Sequence, residues 1–373
     1  EKTGTMSWVG NLMSLPYMVL FFLVWIVASV FRPILVATAL AAFLFPSATL
    51  QKVRLFVITT RYLLFCNDKK WKKPKEDPAS FFVDPSSKVD KKTIIFVRHG
   101  ESTWNDTFNR GDRSIITFVL CFVPNLFKSI FLEWYFFVTG KGSDSWFYDS
   151  PLSEKGLRQA MGVRQFLGKS LDYRTPREVE LMKLLLGQGG DGGGSSSSQI
   201  VSSNLRRAIS TSIVGFQDRL CQKMEGDAVV ILPQLQEISR NPDALSITPA
   251  KGKVVRAWTD PEELERLFEK QIDTRLHTGN KPVKTNGLLR MQEFCHVVFH
   301  DFEKETIIAV GHSLWFRSFF RTFLPHTVEH VSKKRKLING GCVGFSLQRT
   351  ETPDGGEQFM IDAKSITILY GGF

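Results

Sequence analysis

The chain has 373 residues, enough for two domains or one large domain with additions, and a formal net charge of +11. Residues 51–75 hold eight Lys or Arg and one Asp, next to a hydrophobic segment. This placement favours a membrane surface as the partner and argues against nucleic acid, for which no binding motif occurs. The five cysteines lie far apart without metal-ligand spacing or a disulfide framework, which indicates a reducing compartment.

The N-terminal part is hydrophobic over residues 15–31 and 34–46, with Arg32-Pro33 between them. A bilayer span needs about 20 apolar residues. Two arrangements therefore fit: one tilted helix kinked at Pro33 with Arg32 reaching the interface, or a re-entrant hairpin that turns at this dipeptide. A cleaved signal peptide is disfavoured because no basic region precedes the long apolar stretch.

Basic and apolar residues mix over residues 51–66, which predicts an amphipathic helix lying on the bilayer. A lysine-rich tract follows at 69–75, with Trp71 as an expected interfacial anchor. Residues 1–75 are thus predicted to be a membrane anchor with a basic juxtamembrane segment, 76–90 a linker, and 91–373 a catalytic domain. The positive charge beside the apolar segment predicts that this domain faces the cytoplasm.

A short apolar, β-branched run at 93–97 predicts a buried strand, and it ends in Arg98-His99-Gly100. Side chains at the carboxyl end of such strands converge on a crevice in α/β folds. An imidazole there can attack phosphorus, and the Arg98 guanidinium can hold phosphoryl oxygens. Gly100 is expected to let the backbone approach the bound group, and Asn105 supplies an amide donor.

An unexpected second apolar stretch covers residues 115–138, inside a predicted insertion at about 108–148. Pro124-Asn125 is expected to split it into two short pieces. We interpret it either as a lid that dips into the membrane beside the pocket or as a hairpin packed on the domain's own core. A helix is predicted at 153–169 with Ser153 as its N-cap, and the Gly/Ser-rich residues 187–198 predict a flexible loop.

Strands and helices alternate through the remainder of the chain, which indicates an α/β layered fold. The predicted strands are 199–202, 228–232, 306–310, 342–348 and one near 359–369, and the predicted helices are 205–223, 260–275, 286–303 and 313–324. Polar motifs follow three of these strands: Ser203-Asn204-Leu205-Arg206-Arg207-Ala208, Gln236-Glu237-Ile238 and Gly311-His312-Ser313.

Taken in order, these motifs resemble the histidine phosphatase superfamily, which includes phosphoglycerate mutases and many phosphatases. The resemblance rests on Arg98-His99-Gly100-Glu101 with Asn105, on the segment from Pro151 to Gly156, on the Leu205–Ala208 motif, on Glu237 and on Gly311-His312-Ser313. It covers roughly residues 93–325 apart from the insertion and the Gly/Ser loop. It implies a three-layer α/β/α sandwich with a mostly parallel central sheet.

The resemblance also implies phosphoryl transfer without a metal or other cofactor. His99 would form a phosphohistidine, Glu237 would protonate the leaving oxygen, and His312 would act as a cation. The matching arginines are Arg98 and, aligned on Ala208, Arg207; Arg206 remains the alternative ligand, since adjacent helix residues point about 100° apart. Asn105, Gly100 and the Ser313 backbone amide complete the expected substrate-binding set.

The surroundings of Glu237 favour a phosphatase over a mutase, because the Arg-His-Tyr that follows the acid in phosphoglycerate mutases is missing here. The expected substrate is a phosphomonoester presented at a membrane: a phospholipid headgroup, a polyprenyl phosphate or a phosphoprotein. A mutase-like enzyme and a catalytically idle membrane scaffold are the alternatives. The pairs His296/His300 and His326/His330 have the spacing of metal ligands but no accompanying carboxylate motif, so no metal site is predicted.

Overall fold

An eight-stranded sheet lies at the centre of the computed structural model, which describes residues 7–83, 88–111, 113–142, 144–170, 174–188, 197–222 and 227–373. Its strands are β1 (Val89–Arg98), β2 (Gln199–Ser202), β3 (Val229–Ile231), β4 (Ile272–Asp273), β5 (Thr306–Gly311), β6 (Cys342–Glu351), β7 (Glu357–Ile361) and β8 (Thr367–Tyr370). Their spatial order is β4-β3-β2-β5-β1-β6-β7, and β8 also pairs with β6. Strands from β4 to β1 are parallel, and β6 is antiparallel to its neighbours.

The described helices are α1 (Ser7–Leu44), α2 (Pro46–Phe65), α3 (Thr103–Phe108), α4 (Ile115–Val138), α5 (Glu154–Leu167), α6 (Pro176–Leu185), α7 (Arg206–Gly215), α8 (Gln217–Cys221), α9 (Glu265–Lys270), α10 (Gly287–His300), α11 (Ser313–Phe323) and α12 (Val331–Lys334). Alternate residues of β1 face opposite sides of the sheet, as the period of a strand requires. Ile95 and Val97 pack in a cluster with α5, α6 and α7. Ile94 and Phe96 pack with α10 and α11. The predicted α/β/α sandwich with a mostly parallel sheet is therefore confirmed.

The register of β1 against β5 determines where the site forms. Thr93 pairs with Thr306, and Arg98 pairs with Gly311. Because the two strands are parallel and end at the same height, the residues that follow them leave the sheet side by side. The same edge receives the ends of β2 and β3.

Most predicted elements are present, with several differences. The region predicted as one helix at 205–223 is divided into α7 and α8 at Phe216, and the region 260–275 contains a turn, α9 and β4. The strand expected near 359–369 is two strands, β7 and β8. Helix α6 was not predicted. Of the predicted loop at 187–198, residues 189–196 lie outside the described residues.

The first helix is continuous through Arg32-Pro33, so the chain does not form the hairpin that would turn there. It ends at Leu44, and α2 begins with Pro46 in its first turn. The segments Phe31–Leu44 and Pro46–Phe65 are bent by 105° at this break. Together they pass a test of length and composition for crossing a membrane.

Helix α4 runs unbroken through Pro124, so the expectation of two short pieces is wrong. It contacts α1 and α3. Glu133 binds Lys52 of α2 at 2.7 Å, and Trp134 donates to Thr38 of α1 at 3.0 Å. Among the described residues it is the single helix that is long and apolar enough to cross a membrane by itself.

Residues 66–83 pack on the α/β domain. Asp68 is fully buried there, and Trp71 packs against the core cluster between the sheet, α10 and α11. Asp77 caps a short turn at Pro78–Phe82 and accepts a hydrogen bond from the His326 amide at 3.0 Å. The segment expected to be a juxtamembrane tract and linker is thus built into the folded domain, while residues 84–87 lie outside the described part of the chain.

Candidate active site

Two histidines lie side by side where β1 and β5 end. His99 and His312 are both buried, and their ring centroids are 4.8 Å apart. The His99 amide donates to the Gly311 carbonyl at 3.0 Å, which continues the ladder between the two strands. The parallel register therefore brings together two motifs that are more than 200 positions apart in sequence.

The ring of His99 has a defined tautomer. Its Nδ1 lies 2.5 Å from the Gly100 carbonyl oxygen, which can only accept a hydrogen bond, so Nδ1 carries the proton. Nε2 then has a free electron pair. Burial first, then the charges of Arg207 and Arg98, lower the pKa of His99 well below its usual range. The ring is neutral at neutral pH, as a nucleophile must be.

His312 contacts Ser203, with 2.8 Å between its Nε2 and the Ser203 hydroxyl. Its Nδ1 is buried with no hydrogen-bond partner among the described residues. Burial, Arg207 and His99 lower the pKa of His312 well below its usual range. The structure thus holds His312 as a neutral ring, whereas the sequence-based expectation was a cation. A phosphoryl group bound beside the ring would oppose this effect.

Two arginines are oriented toward the histidines. Arg207 is held by Asp243, with 2.6 Å from its Nη1 to the main-chain oxygen and 3.4 Å from Nη2 to the carboxylate. Arg98 donates to the Leu337 carbonyl at 2.7 Å. Burial lowers the pKa of Arg98 to about 10 against the opposing effect of the Glu237 and Glu101 carboxylates, so it stays charged at neutral pH.

Arg206 lies apart from this cluster, although it adjoins Arg207 in the first turn of α7. It donates to the Asp149 carbonyl at 2.9 Å and to the Ser145 and Tyr148 carbonyls at 3.2 Å. The angle of about 100° between adjacent helix residues explains why one arginine faces the histidines and the other holds segment 144–149.

Glu237 follows β3 and lies within the electrostatic reach of Arg98. Its side chain is 9% exposed, and its Oε1 accepts from the Ile238 amide at 2.9 Å. A buried lysine fixes this loop: the Lys281 amine contacts the carbonyl oxygens of Glu237 and Ser239. The loop is held rigidly enough to keep a carboxyl group in one position.

Beneath this loop lies an ion cluster that the sequence did not indicate. Asp68 binds the Lys281 amine and the Arg290 guanidinium, each at 2.7 Å, and accepts from the Ser239 amide at 3.0 Å. All three charged side chains are buried. No local pattern marks such a cluster, because its members come from three distant segments.

Gly100 makes a close backbone contact that the sequence did not indicate. A Cβ at Gly100 would lie 2.2 Å from the Gly156 carbonyl oxygen, and a Cβ at Gly156 would lie 1.9 Å from the Glu101 carbonyl oxygen. The close approach is thus between the loop after β1 and the first turn of α5. This explains why the motif around Gly156 accompanies the Arg-His-Gly motif.

Asn105 and Ser313 lie in the first turns of the helices that follow His99 and His312 in the sequence. Asn105 lies in the first turn of α3, half-buried, and its side-chain oxygen accepts from Asn109 at 2.7 Å. Ser313 is the first residue of α11, directly after His312, so its amide has no partner within the helix. An anion beside the histidines would meet the positive end of this helix.

The cluster as a whole presents buried donors without acceptors. Arg98 Nε, Arg207 Nε and His312 Nδ1 are buried and have no hydrogen-bond partner within the described ranges. Buried polar groups in native proteins are almost always paired. Three such groups in the cluster that contains the neutral His99 ring fit a site for an anion.

One further group could hold a metal ion. Glu357 of β7 lies 2.8 Å from His296 and 2.6 Å from His300, so the structure supplies the carboxylate that the sequence did not associate with this pair. Arg349 also binds Glu357 at 2.5 Å. The carboxylate is already neutralised by these partners, and the group lies outside the active-site cluster.

Comparison with known proteins gives structural matches only. No family model matches the chain, and no curated protein is similar to it. Similar solved structures include a candidate α-ribazole-5′-phosphate phosphatase from Escherichia coli, with 12% identity, 76% and 97% of the two chains covered and a TM-score of 0.35. A mycobacterial glucosyl-3-phosphoglycerate phosphatase has 14% identity, coverage of 73% and 97% and a TM-score of 0.32.

A third similar structure is a phosphoserine phosphatase variant from Entamoeba histolytica in complex with phosphoserine, with 14% identity, coverage of 73% and 96% and a TM-score of 0.30. All three proteins are named as phosphatases. At these TM-scores the similarity does not establish a function for this chain.

Proposed function

We propose that the protein is a phosphatase that hydrolyses a phosphomonoester through a phosphohistidine on His99. The observation that carries this proposal is the neutral His99 ring with a free Nε2, within the electrostatic reach of Arg98 and Arg207, which have buried, unpaired Nε–H donors, and next to His312, whose Nδ1 is buried and unpaired. A nucleophilic nitrogen near two guanidinium groups fits a phosphoryl group, whose charge lies on three oxygens.

The reaction has two steps. His99 Nε2 attacks phosphorus, the bond to the ester oxygen breaks, and that oxygen takes a proton from Glu237. Water then attacks the phosphorus of the phosphohistidine and gives a proton to Glu237. The bond between phosphorus and Nε2 breaks, and this releases inorganic phosphate and restores the neutral ring. Arg98 and Arg207 balance the charge on the phosphoryl oxygens in both steps. Asn105 and the Ser313 amide supply further donors.

The reaction takes place at a membrane surface in this proposal. Helix α4 packs on α1 but leaves one face exposed, and the large apolar side chains on it are Ile115, Ile116, Val119, Leu120, Val123, Phe127, Ile130 and Phe131. A contiguous exposed apolar face of this size indicates a contact with lipid or another apolar partner. The N-terminal helices and α4 would hold the catalytic domain against the cytoplasmic leaflet, beside a phosphorylated lipid, polyprenyl or protein substrate.

The first experiment tests the phosphohistidine. The full chain in detergent is incubated with p-nitrophenyl phosphate and quenched in alkali, where phosphohistidine is stable. We expect an acid-labile phosphoryl group on the wild type and on the control His296→Ala, and none on His99→Ala. Label on His99→Ala would assign the nucleophile elsewhere. Folded wild-type protein with neither label nor turnover would favour the scaffold alternative.

The membrane contact of α4 has its own test. In a background with Cys121 and Cys221 replaced by serine, an environment-sensitive fluorophore is attached to Leu120→Cys or, as a control, to Val255→Cys. Both native side chains are exposed. On addition of phosphatidylcholine vesicles we expect a blue shift at position 120 and none at 255. Equal spectra at the two positions would favour α4 as a surface that stays in water.

A further inference from the structure

A basic groove beside the active site is not used by the reaction above. It has a volume of about 380 Å³ and runs between residues 69–73 and helix α11. Its walls carry four cationic side chains and two apolar ones next to catalytic residues: Lys69, Lys73, Arg317, Arg321, Ile238 and Leu314. No carboxylate lines it in the described part of the chain.

The two walls of the groove come from α11 and from residues 69–73. On α11, Arg317 and Arg321 are four residues apart and so lie on one face, opposite the aromatic residues that fill the core. On the other wall, Lys69, Trp71 and Lys73 line the groove, whereas Lys70 and Lys72 do not.

The floor of the groove is fixed by packing. Trp71 lies against Gly287 and Ile238, so closely that a Cβ at Gly287 would come within 2.8 Å of both side chains. Trp71 also packs against the core cluster of α10 and α11. The lysines on either side of this tryptophan are therefore held next to the arginines by the fold itself.

The four cations of the groove have no compensating ion pair within the described residues. Burial has the largest effect and lowers the pKa of Lys73, the Asp77 carboxylate opposes it, and Arg321 adds a smaller lowering effect. Four positive charges that line one groove repel one another, and a bound anion would relieve this repulsion. A concave surface with one sign of charge also concentrates ions of opposite charge.

The groove lies close to the candidate catalytic residues. Ile238 follows the acid Glu237, and Leu314 follows Ser313. Lys336 connects the two regions electrostatically, because its charge interacts with Arg98 and Glu237 on one side and with Arg317 on the other. A substrate held at His99 would have the groove directly beside its leaving group.

We propose that the basic groove binds a second phosphate of the same substrate molecule, so that the preferred substrate carries two phosphate groups. This inference rests on the proposed phosphatase function. The phosphate of a membrane lipid headgroup is the alternative ligand with the same chemistry. The substrate is favoured because Ile238 and Leu314 of the groove directly follow Glu237 and Ser313 in the sequence.

The test compares alkanediol bisphosphates of increasing length with alkyl monophosphates of the same length, using the full chain in detergent. Initial rates of phosphate release give kcat/KM. We expect the best-fitting bisphosphate to exceed its monophosphate about tenfold, since two charge-assisted contacts are gained. The double variant Arg317→Gln/Arg321→Gln should lose this preference, and the charge-matched control Lys183→Gln/Lys364→Gln should keep it. An unchanged preference in the groove variant would overturn the proposal.

Two further arms separate the possible failures. If no substrate is hydrolysed, the proposed phosphatase function is wrong. Calorimetry then measures the binding of each bisphosphate to His99→Ala, which tests the groove independently of hydrolysis. If adding Arg317→Gln/Arg321→Gln to His99→Ala weakens bisphosphate binding, the result supports a phosphate site in the groove. Equal bisphosphate binding in the two proteins would overturn the proposal. In the second arm, binding to vesicles with and without phosphatidylserine is compared. Loss of vesicle binding in the groove variant, with the bisphosphate preference intact, would assign the groove to lipid headgroups and overturn the substrate proposal.

Discussion

The ring nitrogens of His312 are distinguished by Ser203, which follows β2. If the Ser203 hydroxyl donates to Nε2, then Nδ1 carries the proton and points it at the phosphoryl site. Without that hydroxyl the ring can adopt the other tautomer and present a lone pair to the anion. We expect Ser203→Ala to lower kcat/KM about tenfold, the usual scale for a partner that orients a functional histidine.

The measurement is phosphate release from p-nitrophenyl phosphate, with thermal unfolding followed in parallel. Ser212→Ala is the control, because among the described residues its hydroxyl bonds only to the Ala208 carbonyl in the same helix. Equal kcat/KM for the two variants would show that the Ser203 hydroxyl does not orient the His312 ring for activity.

Asp260 gives a prediction of pH dependence. Its burial raises the pKa to about 6, although Ser210 and the Ala257 amide donate to its Oδ2 at 2.8 and 3.0 Å. A carboxyl group with a raised pKa favours folding below its unfolded pKa of about 3.9, and this stability is lost as pH rises through about 6. Two pKa units correspond to about 3 kcal/mol.

Asp260→Asn should therefore be more stable than wild type at pH 7.5, by about 2 kcal/mol, and nearly equal to it at pH 4. The check is the difference in unfolding free energy between the two proteins across this pH range. A variant that is less stable at pH 7.5 would mean that the ionised carboxylate is needed by Arg206 or Arg256, the nearby cations.

At the scale of elements, the loop after β1 and helix α5 depend on two glycines in contact. Gly156→Ala would place a Cβ 1.9 Å from the Glu101 carbonyl oxygen, and the loop that carries His99 would have to move. Overpacking of this kind costs about 1–3 kcal/mol, which exceeds the gain of about 1 kcal/mol from alanine in a helix. We expect a lower midpoint of unfolding and a loss of most phosphate release.

The control for this prediction is Gly168→Ala, at the end of the same helix, where the nearest atom to an added Cβ is 3.7 Å away. It should retain both stability and activity. If Gly156→Ala had the same stability and activity as Gly168→Ala, the close contact between the loop and α5 would not be what positions His99.

Elements with a strong local signal could be predicted from the sequence, and the site followed from them. Strands β1 and β5 are apolar and β-branched, and each ends in a polar motif, so their parallel pairing places His99 next to His312. Helix α6 had a signal that was overlooked: Thr175 and Glu178 form a capping box around Pro176. Helix α4 was divided wrongly at Pro124, because packing on α1 and α3 supports it through the proline.

At the scale of the whole molecule, the N-terminal segment and the catalytic loop are one structure. The sequence predicted a boundary between a basic tract ending at residue 75 and a domain beginning at 91. Charge composition alone supports that division, because Lys69–Lys75 resembles a juxtamembrane tract. The fold instead uses Asp68 as the counter-ion of Lys281 and Arg290, below the loop that carries Glu237. Only the three-dimensional arrangement shows that partnership.

The buried ion cluster leads to a prediction about where the catalytic domain begins. A chain of residues 66–373 retains Asp68, and a chain of residues 80–373 lacks it and Trp71. Without Asp68, two buried cations lose their anion, and breaking a buried ion pair from one side costs about 3–5 kcal/mol. Because Lys281 also holds the Glu237 and Ser239 carbonyls, the position of the catalytic acid should change as well.

We therefore expect the chain 80–373 to unfold at a clearly lower temperature than 66–373 and to show a lower kcat. Both lack α1 and α2, so the exposed surface of α4 is the same in the two proteins. In the full chain, Asp68→Asn should reproduce the loss of stability and of kcat, whereas the neighbouring Asn67→Ala should not. Equal stability and equal kcat for the two truncated chains would mean that the domain begins near residue 80 and that Asp68 only attaches the anchor to it.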